Sequence, residues 1–181
     1  MSTKDYPSID HVRQCLREED GRIFWVSRPR EHFKLTRAWR NFTNKWAGKE
    51  AGNLAGDKRW PRWVVKIDGI PLYRYQIVWA FHKGEWPEQL DHKDRNQLND
   101  RIDNLRIATQ TLNMGNVAGR KNTITGIKGV RLTKTKGRKV WSAQIQMNGK
   151  QKHIGCFSTP EEAHAAYVEA AREYFGEFHC P

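Results

Sequence analysis

From Asn104 to Pro160 the chain contains no Asp or Glu, while Arg106, Arg120, Lys121, Lys128, Arg131, Lys134, Lys136, Arg138, Lys139, Lys150 and Lys152 all fall inside that stretch. A block of like charge this long repels itself and stays an extended tail unless its apolar residues are spaced to bury a common face. They are so spaced. Trp141, Ala143, Ile145 and Met147 alternate with Ser142, Gln144 and Gln146, the period of two of a strand with one buried face. Asn148-Gly149 then supplies the chemistry of a tight turn into a strand from Lys150 to Phe157, and Gly129 to Thr133 makes a third short strand. Ser158-Thr159-Pro160-Glu161-Glu162 carries a capping hydroxyl, an early Pro and acids in the first turn, the marks of a helix start. Beyond it Ala163, Ala166, Tyr167, Ala170, Ala171, Tyr174, Phe175 and Phe178 recur at three- and four-residue spacing. The expectation is a three-stranded antiparallel sheet with one helix across one face, the other face carrying Arg131, Gln144 and Gln146 towards solvent or a ligand.

The charge bias extends to the whole chain, in which 32 Lys+Arg against 20 Asp+Glu leave a formal net charge of +12. Such a surface attracts polyanions, so nucleic acid is the expected partner and no obligate protein partner is evident. No window approaches the run of about 20 apolar residues that a membrane span needs, and Met-Ser-Thr-Lys-Asp-Tyr lacks the apolar core of a secretory signal. A membrane partner is therefore not expected, and the expected location is the cytoplasm, that of the host cell if the chain is phage-encoded. Cys15, Cys156 and Cys180 include no Cys-x-x-Cys pair, which excludes a disulfide framework and a four-cysteine zinc site. Any metal must be held mainly by oxygen and nitrogen. His11 and Cys15, at helical i,i+4 spacing but with no further ligand nearby in sequence, read as structural, and Cys156 reads as a small core residue.

Upstream, Tyr75 to Lys83 reads as a helix ending at Gly84, and Trp63 to Ile67 with Asp68-Gly69 as a strand entering a hairpin. His11 to Glu19 reads as a helix and Arg22 to Ser27 as a strand. The basic stretch from Arg28 to Arg62, with its interleaved tryptophans, is equally consistent with core aromatics and with DNA contact. Ala118 to Thr125 is the best linker. The chemistry concentrates in Gln89-Leu90-Asp91-His92-Lys93-Asp94-Arg95-Asn96 and Asp103-Asn104-Leu105-Arg106-Ile107-Ala108, followed by a helix from Thr109 to Asn116. A strand ending at Asp91-His92, a polar loop, a strand from Leu105 to Ala108 and that helix make a ββα unit. Phosphodiester hydrolysis needs a base to activate water and a cation to stabilise charge on the phosphate. His92 is the base, Asn104 an amide that can hold the second ring nitrogen, and Asp91 with Asn113 a sparse set of hard oxygen donors suited to one Mg2+ or Mn2+.

The Asp-His pair, an Asn-Leu twelve residues after the His and an Asn nine residues further on resemble the HNH nuclease motif, in the phage and intron-associated form whose last His is Asn. Carried over, Asp91 and Asn113 match the metal ligands, His92 the general base and Asn104 the residue that orients it. Tyr75-Gln76 departs from the His-Arg of many relatives. The resemblance implies a DNA endonuclease of homing or nicking type that leaves 3′-hydroxyl and 5′-phosphate ends. Lys128-Gly129-Val130-Arg131, Trp141-Ser142-Ala143-Gln144-Ile145, Ile154-Gly155-Cys156-Phe157 and Glu161 to Tyr167 resemble the AP2 domain, whose sheet docks in the major groove of double-stranded DNA. Within it Lys128, Arg131, Lys134, Lys136, Arg138, Gln144, Gln146 and Lys152 are the expected DNA contacts. The reading is therefore a small multi-module α+β protein: an accessory region over residues 1–62, an HNH ββα-metal unit over 63–117, a linker over 118–125 and an AP2-like module over 126–181. Its rival is a non-catalytic DNA-binding regulator that keeps the HNH fold as a scaffold.

Overall fold

The computed structural model describes residues 5–58, 60–116, 126–135 and 137–179. It is a mixed α+β chain that divides into two compact units, Met1–Ile107 and Ala108–Pro181.

The first unit opens with α1 (Ile9–Cys15), whose N-terminus is capped by the Ser8 hydroxyl accepting from the His11 amide. The helix passes directly into β1 (Leu16–Glu19), paired antiparallel with β2 (Arg22–Trp25). The expected helix from His11 to Glu19 thus ends at Cys15. Asp20 and Gly21 both adopt positive φ, and the turn they make pairs Leu16 to Glu19 with the following strand in place of a longer helix. Next come α2 (Thr36–Trp46) and a sheet of β3 (Asn53–Ala55), β4 (Arg62–Ile67) and β5 (Ile70–Tyr73), in that spatial order. Asp68-Gly69 turns β4 into β5 as expected, and β5 runs without a break into α3 (Arg74–Lys83), which Gly84 ends in the left-handed conformation. The unit closes with a hairpin of β6 (Leu90–His92) and β7 (Leu105–Ile107).

One core serves the whole unit. Val12, Cys15, Leu16 and Ile23 from its beginning pack in the same cluster as Val65, Leu72, Ile77, Val78 and Leu105. The division expected between residues 62 and 63 falls inside β4, and the core runs across it. Trp63, just after the basic stretch, packs against this core and donates its Nε1–H to the Ala51 carbonyl, Trp39 donates its own to the Arg28 carbonyl, and Trp46 and Trp60 are exposed.

The second unit contains α4 (Gln110–Asn116), then β8 (Val130–Thr135), β9 (Arg138–Met147), β10 (Lys150–Phe157) and α5 (Pro160–Phe175). The sheet order is β10-β9-β8, antiparallel throughout, and α5 packs across one face. Thr159 and Glu162 form the capping box that the sequence announces, with Pro160 in the first turn. Ala163, Tyr167, Ala171 and Phe175 meet Val130, Ala143 and Ile145 in the core, and Leu112 of α4 packs against the same cluster. The expected linker, 118–125, lies outside the described residues. Cys156 is not a core residue: it pairs with Ser142 on the face away from α5, after a bulge between His153 and Gly155, and is exposed.

Gly129 joins sheet and helix. Its φ is +77°, and a Cβ built there would lie 2.0 Å from Cδ2 of Tyr167. Gly129→Ala therefore combines left-handed backbone strain of about 1–2 kcal/mol with overpacking of about 1–3 kcal/mol. Chemical denaturation followed by near-ultraviolet CD should show the Ala108–Pro181 unit destabilised by at least about 2 kcal/mol; an unchanged midpoint would mean that the ring does not rest on this position.

Candidate active site

Cross-strand register between β6 and β7 pairs Asp91 with Arg106 and His92 with Leu105. His92 is the last residue of its strand, and the chain turns at once, the Arg95 amide donating to the His92 carbonyl. Strand regularity therefore ends at the proposed base.

His92 is buried, and its Nε2 lies 2.8 Å from Oδ1 of Asp100, which is itself 2% exposed. Arg74, the first residue of α3, donates from Nε to Oδ2 of the same carboxylate at 2.7 Å and from its other nitrogens to the Leu98 carbonyl and to Glu50 Oε1. Glu50 in turn takes two bonds from Arg22. A row of charged groups, Asp100–Arg74–Glu50, buried at Asp100 and Arg74, thus holds the imidazole from one side. The carboxylate accepts the Nε2 proton and so fixes the tautomer that carries its lone pair on Nδ1. Tyr75 stands edge-on to the His92 ring with centroids 5.4 Å apart, and burial pushes its phenol up to about 12, so it is an uncharged wall. Gln76, at the second departure from the family pattern, bonds the Tyr73 amide and the Tyr6 hydroxyl.

The side-chain hydrogen bonds of Asn104 run to the loop and not to the imidazole. Its Oδ1 accepts from the Asp94 amide, and its Nδ2 donates to Asp94 Oδ1 and to the Asn99 carbonyl. Burial pushes the Asp94 carboxyl up, but the bonds from Asn99, the Asn96 amide and Asn104 outweigh it and hold the group below the usual carboxylate range. Asn104 thereby braces the loop that also carries Asp100.

Of the two expected metal ligands, Asp91 accepts Nε and Nη2 of Arg106 on Oδ2, at 3.0 and 2.8 Å. Asn113 lies on α4 in the second unit, and its Oδ1 is buried without a hydrogen-bond partner. A buried amide oxygen left unsatisfied costs about 1–3 kcal/mol, which a cation would relieve. Each of the two residues is, by its own chemistry, a hard oxygen donor of the kind a divalent ion such as Mg2+ takes.

Residues 73–114 match the HNH endonuclease family. Protein 3.8 of Escherichia phage T7 is 34% identical over 107 residues, covering 58% of this chain and 86% of the relative. An uncharacterized HNH endonuclease of Acanthamoeba polyphaga mimivirus is 31% identical over 156 residues, covering 77% of this chain and 79% of the relative. The chain belongs to the HNH endonuclease family. No solved structure matches it. In this HNH family member the matched segment runs from the end of β5 into α4, so Arg74, His92, Asp100 and Asn113 all fall inside it.

Register in the second unit sorts the expected DNA contacts. Arg131, Arg138, Gln144 and Gln146 share the face away from α5, together with Ser142 and His153, whose Oγ and Nδ1 lie 3.1 Å apart. Lys134 and Lys152 pair with Lys139 and Ile145, on the helix-bearing side. Lys128 precedes β8, and Lys136 lies outside the described residues. Among the described residues no helix is long and apolar enough to cross a membrane.

Sequence reasoning missed Asp100 and Glu50, and it reads Arg74, with Lys93, Arg95 and Arg106, only as a candidate phosphate contact that spacing does not single out. One signal existed: Asp100 lies in a loop crowded with Asn and Asp, where an acid reads as a turn residue until a buried arginine is known to face it. Removing that carboxylate should cost far more than removing the amide. Asp100→Ala leaves buried Arg74 with the longer pair to the partly exposed Glu50 as its counter-charge and is expected to lose up to about 3–5 kcal/mol. Asp100→Asn, which keeps the shape, should shift the imidazole nitrogen resonances of His92 in 15N NMR, while Asn104→Ala should leave that tautomer in place and loosen only the loop. The reverse pattern would return the orienting role to Asn104.

Proposed function

We propose that this protein is a metal-dependent DNA endonuclease that hydrolyses phosphodiester bonds, of the phage homing or nicking type, leaving 3′-hydroxyl and 5′-phosphate ends. The observation that supports it most is the Nε2 bond from His92 to buried Asp100 within the HNH-matched segment. Nε2 is the donor to the carboxylate, so Nδ1 has the lone pair that takes a proton from water attacking the phosphate. The Asp100 carboxylate, whose other oxygen accepts from Arg74, balances the imidazolium that forms. Asp91 and Asn113 are the residues that would hold one Mg2+ or Mn2+. When bound, the ion supplies charge stabilisation at the phosphate and the departing oxygen. The C-terminal sheet and helix serve as an AP2-like reader of double-stranded DNA, with Gln144 and Gln146 placed to meet base edges and Arg131 and Arg138 to meet phosphates.

Supercoiled plasmid incubated with Mg2+ should be relaxed or linearised, EDTA should stop the reaction, and His92→Ala should slow it about a hundred- to ten-thousand-fold with DNA binding nearly unchanged. A His92→Ala rate within threefold of the parent would remove His92 from the role; binding without any cleavage by the parent protein would support the regulator instead. For the reader module, Arg131→Ala should weaken binding alike on all duplexes and lower the slope of log affinity against log salt by about 0.9. Gln144→Ala should instead narrow the gap between preferred and random duplexes, and equal losses on both would place it among the phosphate contacts.

A further inference from the structure

At the end of α1 the fold gathers three groups that the nuclease chemistry does not use. His11 and Cys15 stand one helical turn apart, and His32, from the short helical turn Arg30–His32 after β2, joins them. Cys15 Sγ lies 3.9 Å from His11 Nε2 and 3.8 Å from His32 Nδ1, and the three ligand atoms all fall within 4.8 Å of one another. A tetrahedral zinc with bonds of about 2.0–2.3 Å holds its ligand atoms roughly 3.3–3.6 Å apart. The two thiol separations need to contract by only tenths of an ångström, and the one between the imidazole nitrogens by at most about 1.5 Å. Asp68, at the β4–β5 turn, stands outside this cluster of three but brings Oδ2 to 2.6 Å from His11 Nε2, so that a rotation of its side chain would supply a fourth ligand.

We propose that His11 Nε2, Cys15 Sγ, His32 Nδ1 and Asp68 Oδ2 form a structural zinc site, separate from the nuclease centre. The outer bonds are arranged for it. His32 Nε2 lies 3.0 Å from Gln14 Oε1, and an amide oxygen there accepts the Nε2 proton and leaves the Nδ1 lone pair on the side of the thiol. Cys15 is fully buried, whereas both histidines are half-buried, so an ion reaches the thiol past the imidazoles. Without metal the neighbouring cation is Arg28, which lies 3.4 Å from His32 Nδ1 and 2.8 Å from Asp68 Oδ1. Zinc takes over the His32 contact, while Arg28 can keep its bond to Oδ1. A closed set of sulfur, two nitrogens and an oxygen, with no position open for substrate, is the pattern of a site that fastens segments together. Here those segments are α1, the turn after β2 and the β4–β5 hairpin.

The test uses the full-length protein stripped with chelator and titrated with Co2+, whose spectrum reports both geometry and thiolate ligation. Expected are tetrahedral d–d bands and a thiolate-to-cobalt charge-transfer band that saturate at one ion per chain and are displaced by Zn2+. His32→Gln, at a half-buried position on a short turn, should weaken Co2+ binding by at least about a hundredfold with unchanged far-ultraviolet CD. Cys15→Ser should abolish the charge-transfer band, whereas Cys156→Ser and Asp91→Ala should keep it, which separates this site from the exposed thiol and from the nuclease ligands. Absence of the band in the parent protein, or its survival in Cys15→Ser, overturns the proposal and leaves Arg28 as the resident cation.

Discussion

The bond between the Arg74 guanidinium and the buried Asp100 carboxylate governs the geometry of everything around His92. Buried ion pairs add little net stability, because desolvation offsets attraction; breaking one, however, leaves a charge with nowhere to go. The pair therefore acts as a register pin. Arg74 is set by the first turn of α3, Asp100 by the loop between β6 and β7, and only one placement of that loop satisfies both, along with the Leu98 carbonyl. Asn104 and Asp94 brace the same loop from its solvent side. The imidazole inherits its orientation from this double fastening.

That dependence explains why the first sixty residues are part of the nuclease unit. Glu50 supplies the second carboxylate on Arg74, and Arg22 balances Glu50. Gly21 lies so close to the backbone of Asp100 and Arg101 that a Cβ there would meet the Arg101 nitrogen at 2.7 Å, and Arg101 pairs with Asp20 across the same contact. The β1–β2 hairpin is a buttress for the loop that carries Asp100.

Local patterns were legible in the sequence wherever one segment could bury its own face. The alternation from Trp141 to Met147, the Asn148-Gly149 turn and the Ser-Thr-Pro-Glu-Glu helix start state the C-terminal sheet and helix almost completely, because period, turn chemistry and cap agree. The β6–β7 hairpin was equally readable from Asp91-His92 and Leu105 to Ile107. What could not be read depends on side chains brought together from distant segments. Cys15 with His32, or His92 with Asp100 and Arg74, has no periodic signature, and each residue alone reads as a turn former, a surface cation or a core filler. The misreading of Leu16 to Glu19 as helix has the same origin, since a four-residue strand is decided by its partner and not by its own composition.

The sheet face argues for a division of labour that net charge alone hides. Two arginines and two glutamines share the open face, but Lys134, Lys139, Lys150 and Lys152 belong by register to the helix-bearing side, as exposed side chains around a core that α5 covers. Long lysines on that side can lay their stems along apolar surface and still present ammonium groups to solvent. A duplex resting on the open face would thus feel two kinds of interaction. Directional bonds come from the short, positioned amides and guanidinium forks in the middle, and diffuse attraction from mobile ammonium groups around the edge. The first kind discriminates between sequences, whereas the second raises encounter rate and affinity on any DNA and fades with salt. Under the proposed DNA-reading role, the concentration of positive charge between Asn104 and Pro160 would serve mainly to find DNA, and recognition of a particular site would rest on the less conspicuous glutamines.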